Sequence, residues 1–326
     1  MTRPCLFDQV VRCSGHAQQG DLTDTEWAVL EPLLPVSNNR CDRWRDHRQV
    51  INGIIHRLGT GVQWRELPER FGPWKTVHKR HVLWSADGTW EMLLRHVQAT
   101  ADADSDLDWN VNVDSTSVRA HQHAAGAPKK PPPTPPSSSK GAPQISSRVR
   151  AHYPAAPAGG GGAPGEALGR SRGGLTTKIH VAAEGRCRPL SLLITPGQRA
   201  DCTQFEAVRD KIRVPRTGLG RPRRTPDSVG ADKAYSNRKI RAYLRKRGIR
   251  HAIPEKKDHK AARLRRGSRG GRPPGFDKGR YKERNTVERA IGKLKQFRAV
   301  ATRYDKRGYV YLSTVTAAAL LIWLRS

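Results

Sequence analysis

The chain has 326 residues, and 60 Lys+Arg against 29 Asp+Glu leave a formal net charge of +31 at pH 7. A surplus that large exceeds what solubility needs and points to a polyanionic partner. The longest apolar run, residues 315–324, is about half of the roughly 20 residues a spanning helix needs, and the N-terminus lacks the apolar core of a signal peptide, so neither a membrane nor a secreted protein is expected.

The charge is unevenly placed. Residues 1–100 hold 13 Lys+Arg and 11 Asp+Glu, so nearly all of the surplus lies beyond residue 100. Residues 1–20 show no periodicity and read as an unstructured leader. Thr23-Asp24-Thr25-Glu26 is a capping-box pattern that opens a helix over 26–34. A second helix, 46–58, gathers Val50, Ile51, Ile54, Ile55 and Leu58 on one face, and Gly59 and Gly61 are expected to end it. A third, 74–85, follows the Phe71-Gly72-Pro73 turn and is read with Lys75, Lys79 and Arg80 on one side. Residues 21–100 therefore read as a small all-helical, helix-turn-helix-like domain that would bind DNA through those three cations; any small helical bundle gives the same pattern.

After a helix to residue 97, residues 107–113 alternate as a strand that ends on Asp114. Residues 128–164 hold ten prolines, a four-glycine run and few apolar side chains, the composition of a disordered insertion. Strand patterns return at 175–182 and 189–194, then a helix at 201–212. A strand at 228–231 ends on Asp232, followed by a basic helix at 237–247, a strand at 250–253 and a long helix from Tyr281. That order implies an α/β domain with a mixed sheet over residues 101–326. Between the last strand and the last of these helices, residues 256–284 carry twelve basic and three acidic side chains, with Arg269 and Arg272 spaced by glycines. Phosphate contact and a solvated basic linker are both open for this string.

Asp114 and Asp232 sit at predicted strand ends, where α/β enzymes place functional groups, although a strand-end Asp is commonly a cap or turn residue. On the long helix, Tyr281, Arg284, Glu288 and Lys295 are three, four and seven apart. At 100° per residue they fall within about one-sixth of the circumference, so one carboxylate lies among cations on one face. Such a face suits metal and phosphate together, or else a surface laced with i,i+4 pairs.

These residues resemble a known family. Asp114-Ser115-Thr116-Ser117-Val118-Arg119-Ala120-His121, Asp232-Lys233-Ala234-Tyr235 and the Tyr-x2-Arg-x3-Glu-x6-Lys pattern at 281, 284, 288 and 295 are similar to bacterial insertion-sequence transposases of the Asp-Asp-Glu type, nearest to insertion-sequence family five. The likeness extends through residues 169–178, 195–198 and 302–306 and the N-terminal region 22–84, and leaves out residues 1–20. It implies a ribonuclease-H-like catalytic core with Asp114, Asp232 and Glu288 as a metal-binding triad for Mg²⁺, with Mn²⁺ able to substitute. It also implies phosphate-holding roles for Arg284 and Lys295, end-DNA contact by Tyr281, double-stranded DNA as partner, a homodimer or higher active complex, and a cytoplasmic, nucleoid-associated location. The chemistry is consistent, since phosphodiester transfer with two divalent ions needs only a few carboxylates. Two alternatives remain at this level: a non-enzymatic basic DNA- or RNA-binding protein, and a nuclease of the same fold without strand transfer.

Overall fold

Four helices open the computed structural model, which describes residues 20–35, 44–126 and 165–326. The leader before Gly20 and the Pro/Ala/Gly-rich stretch 128–164 lie outside the described residues. Helix α1 (Asp24–Leu30) starts on the expected capping box: Thr23 Oγ1 accepts the Glu26 amide at 3.2 Å while the Glu26 carboxylate accepts the Thr23 amide at 3.0 Å. Helix α2 (His47–Thr60) is capped by Asp46, and Gly59 lies inside it. Gly61 ends it instead, at φ 72°, a left-handed conformation that glycine adopts without a side-chain clash. Helices α3 (Trp74–Asp87) and α4 (Thr89–Ala103) follow.

The sheet is mixed, as expected. Its central strand is β1 (Asn110–Ala120), followed by the short helix α5 (Gln122–Ala125). The strands β2 (Gly169–Ser171), β3 (Gly174–Ala183) and β4 (Pro189–Pro196) form antiparallel pairs on one side: β3 pairs with β1, β2 and β4. On the other side β5 (Ser228–Ala231) runs parallel to β1, and β6 (Arg250–Ala252) runs parallel to β5. All four residues of β5 are buried, because a parallel strand covered on both faces has no solvent side to alternate toward. Helices α6 (Phe205–Asp210) and α7 (Arg238–Lys246) flank β5 in sequence. Helices α8 (Lys257–Arg265), α9 (Lys278–Lys282), α10 (Asn285–Gln296) and α11 (Arg298–Ala301) lead to β7 (Thr302–Arg303) and α12 (Gly308–Leu324).

Four expectations need correction. β1 does not stop at Asp114, because antiparallel pairing with β3 carries it on to residue 119. The segment 201–212 is a 3₁₀ turn, Asp201–Gln204, before the short α6. The long helix from Tyr281 is broken at Glu283 and Arg284 into α9 and α10. The basic string contains a helix, α8, none of whose residues is buried.

Helix α12 is buried almost all round from Val310 to Trp323, as befits a helix apolar on every side. It packs on α3 and α4 and on β4, so one continuous hydrophobic core runs from Leu22 to Trp323 and joins the N-terminal helices to the sheet. Polar bonds cross the same junction. Arg57 of α2 and Asp305 form a buried ion pair at 3.0 Å, and Thr314 Oγ1 of α12 donates to Asp305 at 2.9 Å. No described helix is long and apolar enough to cross a membrane.

Candidate active site

The even-numbered side chains of β1 share one face of the sheet, and the first three, Asn110, Asn112 and Asp114, reach the α9–α10 segment. Arg280 donates to Asn110 Oδ1 at 2.7 Å, and Asn112 Nδ2 donates to Thr286 Oγ1 at 2.8 Å and to the Glu283 carbonyl at 3.3 Å. Asn112 has room because β5 carries Gly230 beside it: a Cβ there would lie 2.0 Å from Asn112 Oδ1. These bonds set the start of α10 over β1 and bring Arg284 to the third residue of the row. Its guanidinium spans Asp114 Oδ2 at 3.4 Å and Glu288 Oε1 at 2.5 Å. Its carbon lies 5.5 Å from the Tyr281 ring, which packs against Phe276 at 5.2 Å.

Asp232 arrives by register. The parallel ladder pairs Val113 with Ala231, so the next residue on each strand is an aspartate. Asp232 also caps the 3₁₀ turn Lys233–Tyr235 by accepting the Ala234 amide at 2.8 Å. Burial pushes the Asp114 carboxyl above the ordinary range; the charges of Asp232 and Glu288 push the same way, and Arg284 with the Ser115 amide opposes them. The charges of Asp232 and Glu288 thus both act on Asp114. Glu288, half-exposed, is turned to Arg284, and among the described residues no group of three or more His, Cys, Asp or Glu is gathered tightly enough to hold a metal ion.

The other expected residues spread out. Lys295 is exposed on α10, seven residues or about 10 Å along the axis from Glu288. Arg269 and Arg272 are exposed just after α8. On α3, Lys75 and Lys79 are exposed on one side. Arg80 does not join them: it is 6% exposed, donates to His47 Nδ1 at 2.7 Å and lies 3.9 Å from the Trp44 ring, and burial lowers its pKa to about 10. It is a packing residue of the helical region.

Behind β1, on its odd-numbered face, lies a network that the motifs did not announce. Ser115 donates to Asp201 at 2.7 Å, Lys178 of β3 pairs with the same carboxylate at 2.8 Å, and Lys178 also donates to the Arg199 carbonyl at 2.9 Å. Burial opposes ionisation of Asp201, but these bonds outweigh it and hold its carboxyl below the usual range. The buried Tyr235 hydroxyl is pushed up by burial first and then by Asp201, Asp114 and Asp232. The Thr195-Pro196-Gly197-Gln198 turn explains the glycines around this network, since a Cβ on Gly197 would meet Thr176 Oγ1 at 1.8 Å.

Comparison with known proteins gives the family. Residues 109–323, from the residue before β1 to the last but one of α12, match the family model "Transposase DDE domain". Residues 22–94 match "Putative transposase of IS4/5 family (DUF4096)". Among curated proteins the chain is 29% identical over 151 residues to a "Putative transposase for insertion sequence element IS6501" from Brucella ovis, covering 46% of this chain and 100% of that one. It is 28% identical over 146 residues to a "Putative transposase for insertion sequence element IS402" from Burkholderia cepacia, covering 45% and 62%. It is 34% identical over 108 residues to "Uncharacterized protein y4sN" from Sinorhizobium fredii, covering 32% and 82%. No solved structure matches. Since one family model spans both strand-borne aspartates, Glu288 and the whole sheet, the chain belongs to the transposase DDE domain family and is an insertion-sequence transposase of the Asp-Asp-Glu type.

Proposed function

We propose that Asp114, Asp232 and Glu288 are the acidic triad of this transposase and that it cuts insertion-sequence ends and joins their 3′-hydroxyl groups to target DNA. The observation that carries the reading is the charge balance at Asp114. Asp114 on β1 is partly buried, the charges of Asp232 at the end of β5 and Glu288 on α10 both oppose its ionisation, and Arg284, bonded to Asp114 and Glu288, offsets them. All-oxygen carboxylate donors suit a hard divalent cation, which keeps waters and substrate oxygens as its remaining ligands. Asp114, Asp232 and Glu288 would hold Mg²⁺ or Mn²⁺, which when bound polarises phosphoryl oxygens and lowers the pKa of an attacking hydroxyl.

The chain's own residues then have separate tasks. Arg284, released from Glu288, offers a two-pronged guanidinium to the phosphate beside the scissile bond, and Lys295 one turn-pair further along α10 offers a point charge to the next. Tyr281 presents an aromatic face to end DNA. Lys75 and Lys79, exposed on α3 after a tight turn, supply contacts that recognise the ends, while Arg269 and Arg272 add affinity that ignores sequence. A central strand with an antiparallel hairpin on one side and two parallel strands on the other supports the ribonuclease-H-like reading of the core. Double-stranded DNA as partner, a homodimer or larger active complex, and a cytoplasmic, nucleoid-associated location belong to the same reading. The test is an assay on a labelled element end that scores cleavage and joining, with and without Mg²⁺. Metal-dependent cleavage followed by joining supports the proposal; cleavage without joining reduces the protein to a nuclease, and no cleavage at all refutes it.

A further inference from the structure

The segment between α6 and β5 carries arginines at 213, 216, 221, 223 and 224. It is built rather than loose at its base. Val214 and Arg223 exchange both backbone hydrogen bonds, at 3.0 and 2.9 Å, and Pro215, Pro222 and Pro226 fix the backbone beside them. Arg223 is pinned, with its guanidinium 4.1 Å from the Trp109 ring and 2.9 Å from Asp227. Arg216, Arg221 and Arg224 are exposed and form no ion pair with any described residue. Together with Arg250 at the start of β6 they line an open cleft of about 600 Å³. Its one acidic side chain, Asp227, is already paired with Arg223.

Several guanidinium groups held around one opening repel one another unless an anion enters, and a guanidinium meets a phosphate with two parallel hydrogen bonds. A wide, polar opening suits the backbone of a polymer better than a small ligand that must be enclosed. Position decides which phosphates. Asp227 lies immediately before β5 and Asp232 immediately after it, so five residues at about 3.3 Å each put the cleft roughly 16 Å from the carboxylates, at the opposite end of the strands. A phosphate held here is not the one being cut.

We infer that the cleft of Arg216, Arg221, Arg224 and Arg250 is a second DNA site, which grips duplex backbone away from the reacting phosphate without reading sequence. The inference rests on the proposed DNA-cutting function and adds a surface to it. The test uses the full chain and a random-sequence 30-base-pair duplex. Replacing Arg216, Arg221 and Arg224 together by Gln should lower affinity and flatten the plot of log K against log salt by about 2.7, three phosphate contacts at about 0.9 each, with the preference for end DNA unchanged. In the wild type, bound duplex should slow modification of the same three arginines by phenylglyoxal, a readout that holds even if the variant fails to fold. An unaltered salt slope with unprotected arginines overturns the site, and so does a loss confined to end DNA. If the wild type binds duplex at these arginines but does not cut, the active-site proposal fails and the cleft stands; if it cuts while the variant keeps the wild-type slope, the cleft alone fails.

Discussion

Asp305→Asn should cost about 3–5 kcal/mol of stability, because it leaves the Arg57 guanidinium buried without its counter-charge. The figure follows from the surroundings. Arg57 is 4% exposed, its Nε and Nη1 have no hydrogen-bond partner, and Asp305 is the carboxylate that faces it, at 3.0 Å. Asn keeps the shape and can still meet Thr314, so the change isolates the charge. For a chain of this size that cost corresponds to a fall in melting temperature of roughly 6–10 °C, at about 2 °C per kcal/mol. The pair ties α2 to the loop before α12, so the loss should be felt by both the N-terminal helices and the sheet. Thermal and urea unfolding of Asp305→Asn is measured beside a double-mutant cycle of Arg57→Met, Asp305→Leu and the two combined. The double variant should recover most of the loss, since an apolar pair of similar volume is about as good as a buried ion pair. A cost below about 1 kcal/mol for Asp305→Asn, or a double variant as unstable as the sum of the singles, would refute the reasoning.

Three further outcomes are expected. Asp114→Asn, Asp232→Asn and Glu288→Gln should each slow cleavage by more than about a thousandfold, some 4 kcal/mol of barrier, while duplex affinity measured by fluorescence anisotropy stays within about twofold; one variant that still cuts removes its residue from the triad. Burial lowers the pKa of His81 to about 3 and that of His180 to about 4, so the fold favours both as neutral rings. Their contribution is complete above pH 6.5 and is lost as pH falls toward those values, at about 1.4 kcal/mol per pH unit for each. Asp114, Asp87 and Glu184, raised by burial, titrate in the opposite sense, so comparing melting curves of the wild type and His81→Gln between pH 7 and pH 5 isolates the histidine; equal slopes would count against it. Finally, Arg80→Ala should lower the melting temperature without changing the preference for end DNA over random DNA, whereas Lys75→Gln with Lys79→Gln should reduce that preference at an unchanged melting temperature. The reverse pattern would place the reading face elsewhere on α3.

Much of the sheet and the polar helix face was legible in the sequence because both depend on local periodicity. β5 is buried on every residue and bounded by Asp232, and Glu288 and Lys295, both on α10, need only 100° per residue to share a face. The reading of Arg80 beside Lys75 and Lys79 went against the same periodicity, since those two lie 40° apart on a helix while Arg80 lies a further 100° round, toward the core. What escaped depends on partners far along the chain. The second half of β1, Asp114–Ala120, is polar except for Val118 and Ala120 and lacks the alternation that marks a strand; it is one because β3, beginning at Gly174, supplies the ladder. The break between α9 and α10 falls where Asn112, 171 residues earlier, takes the Glu283 carbonyl. A tertiary hydrogen bond overrides helical propensity there, and no window on the helix sequence contains it.

That same bond bears on how Glu288 is placed relative to Asp114 and Asp232. Register on parallel strands puts Asp114 beside Asp232 wherever Val113 pairs with Ala231, so these two need only a correctly paired β1 and β5. Glu288 has no such guarantee, because a helix lying over a sheet can slide or turn. The row Asn110, Asn112, Asp114 restricts that freedom: Arg280 engages the first, the Glu283 carbonyl with Thr286 the second, and Arg284 the third. An unbroken helix would carry residues 280, 283 and 286 round its axis at 300° per three residues, away from a straight strand; the turn at Glu283–Arg284 lets the segment follow the strand instead. The break in the helix and the placement of Glu288 are thus one feature, and Gly230 is the residue whose missing side chain lets Asn112 make it.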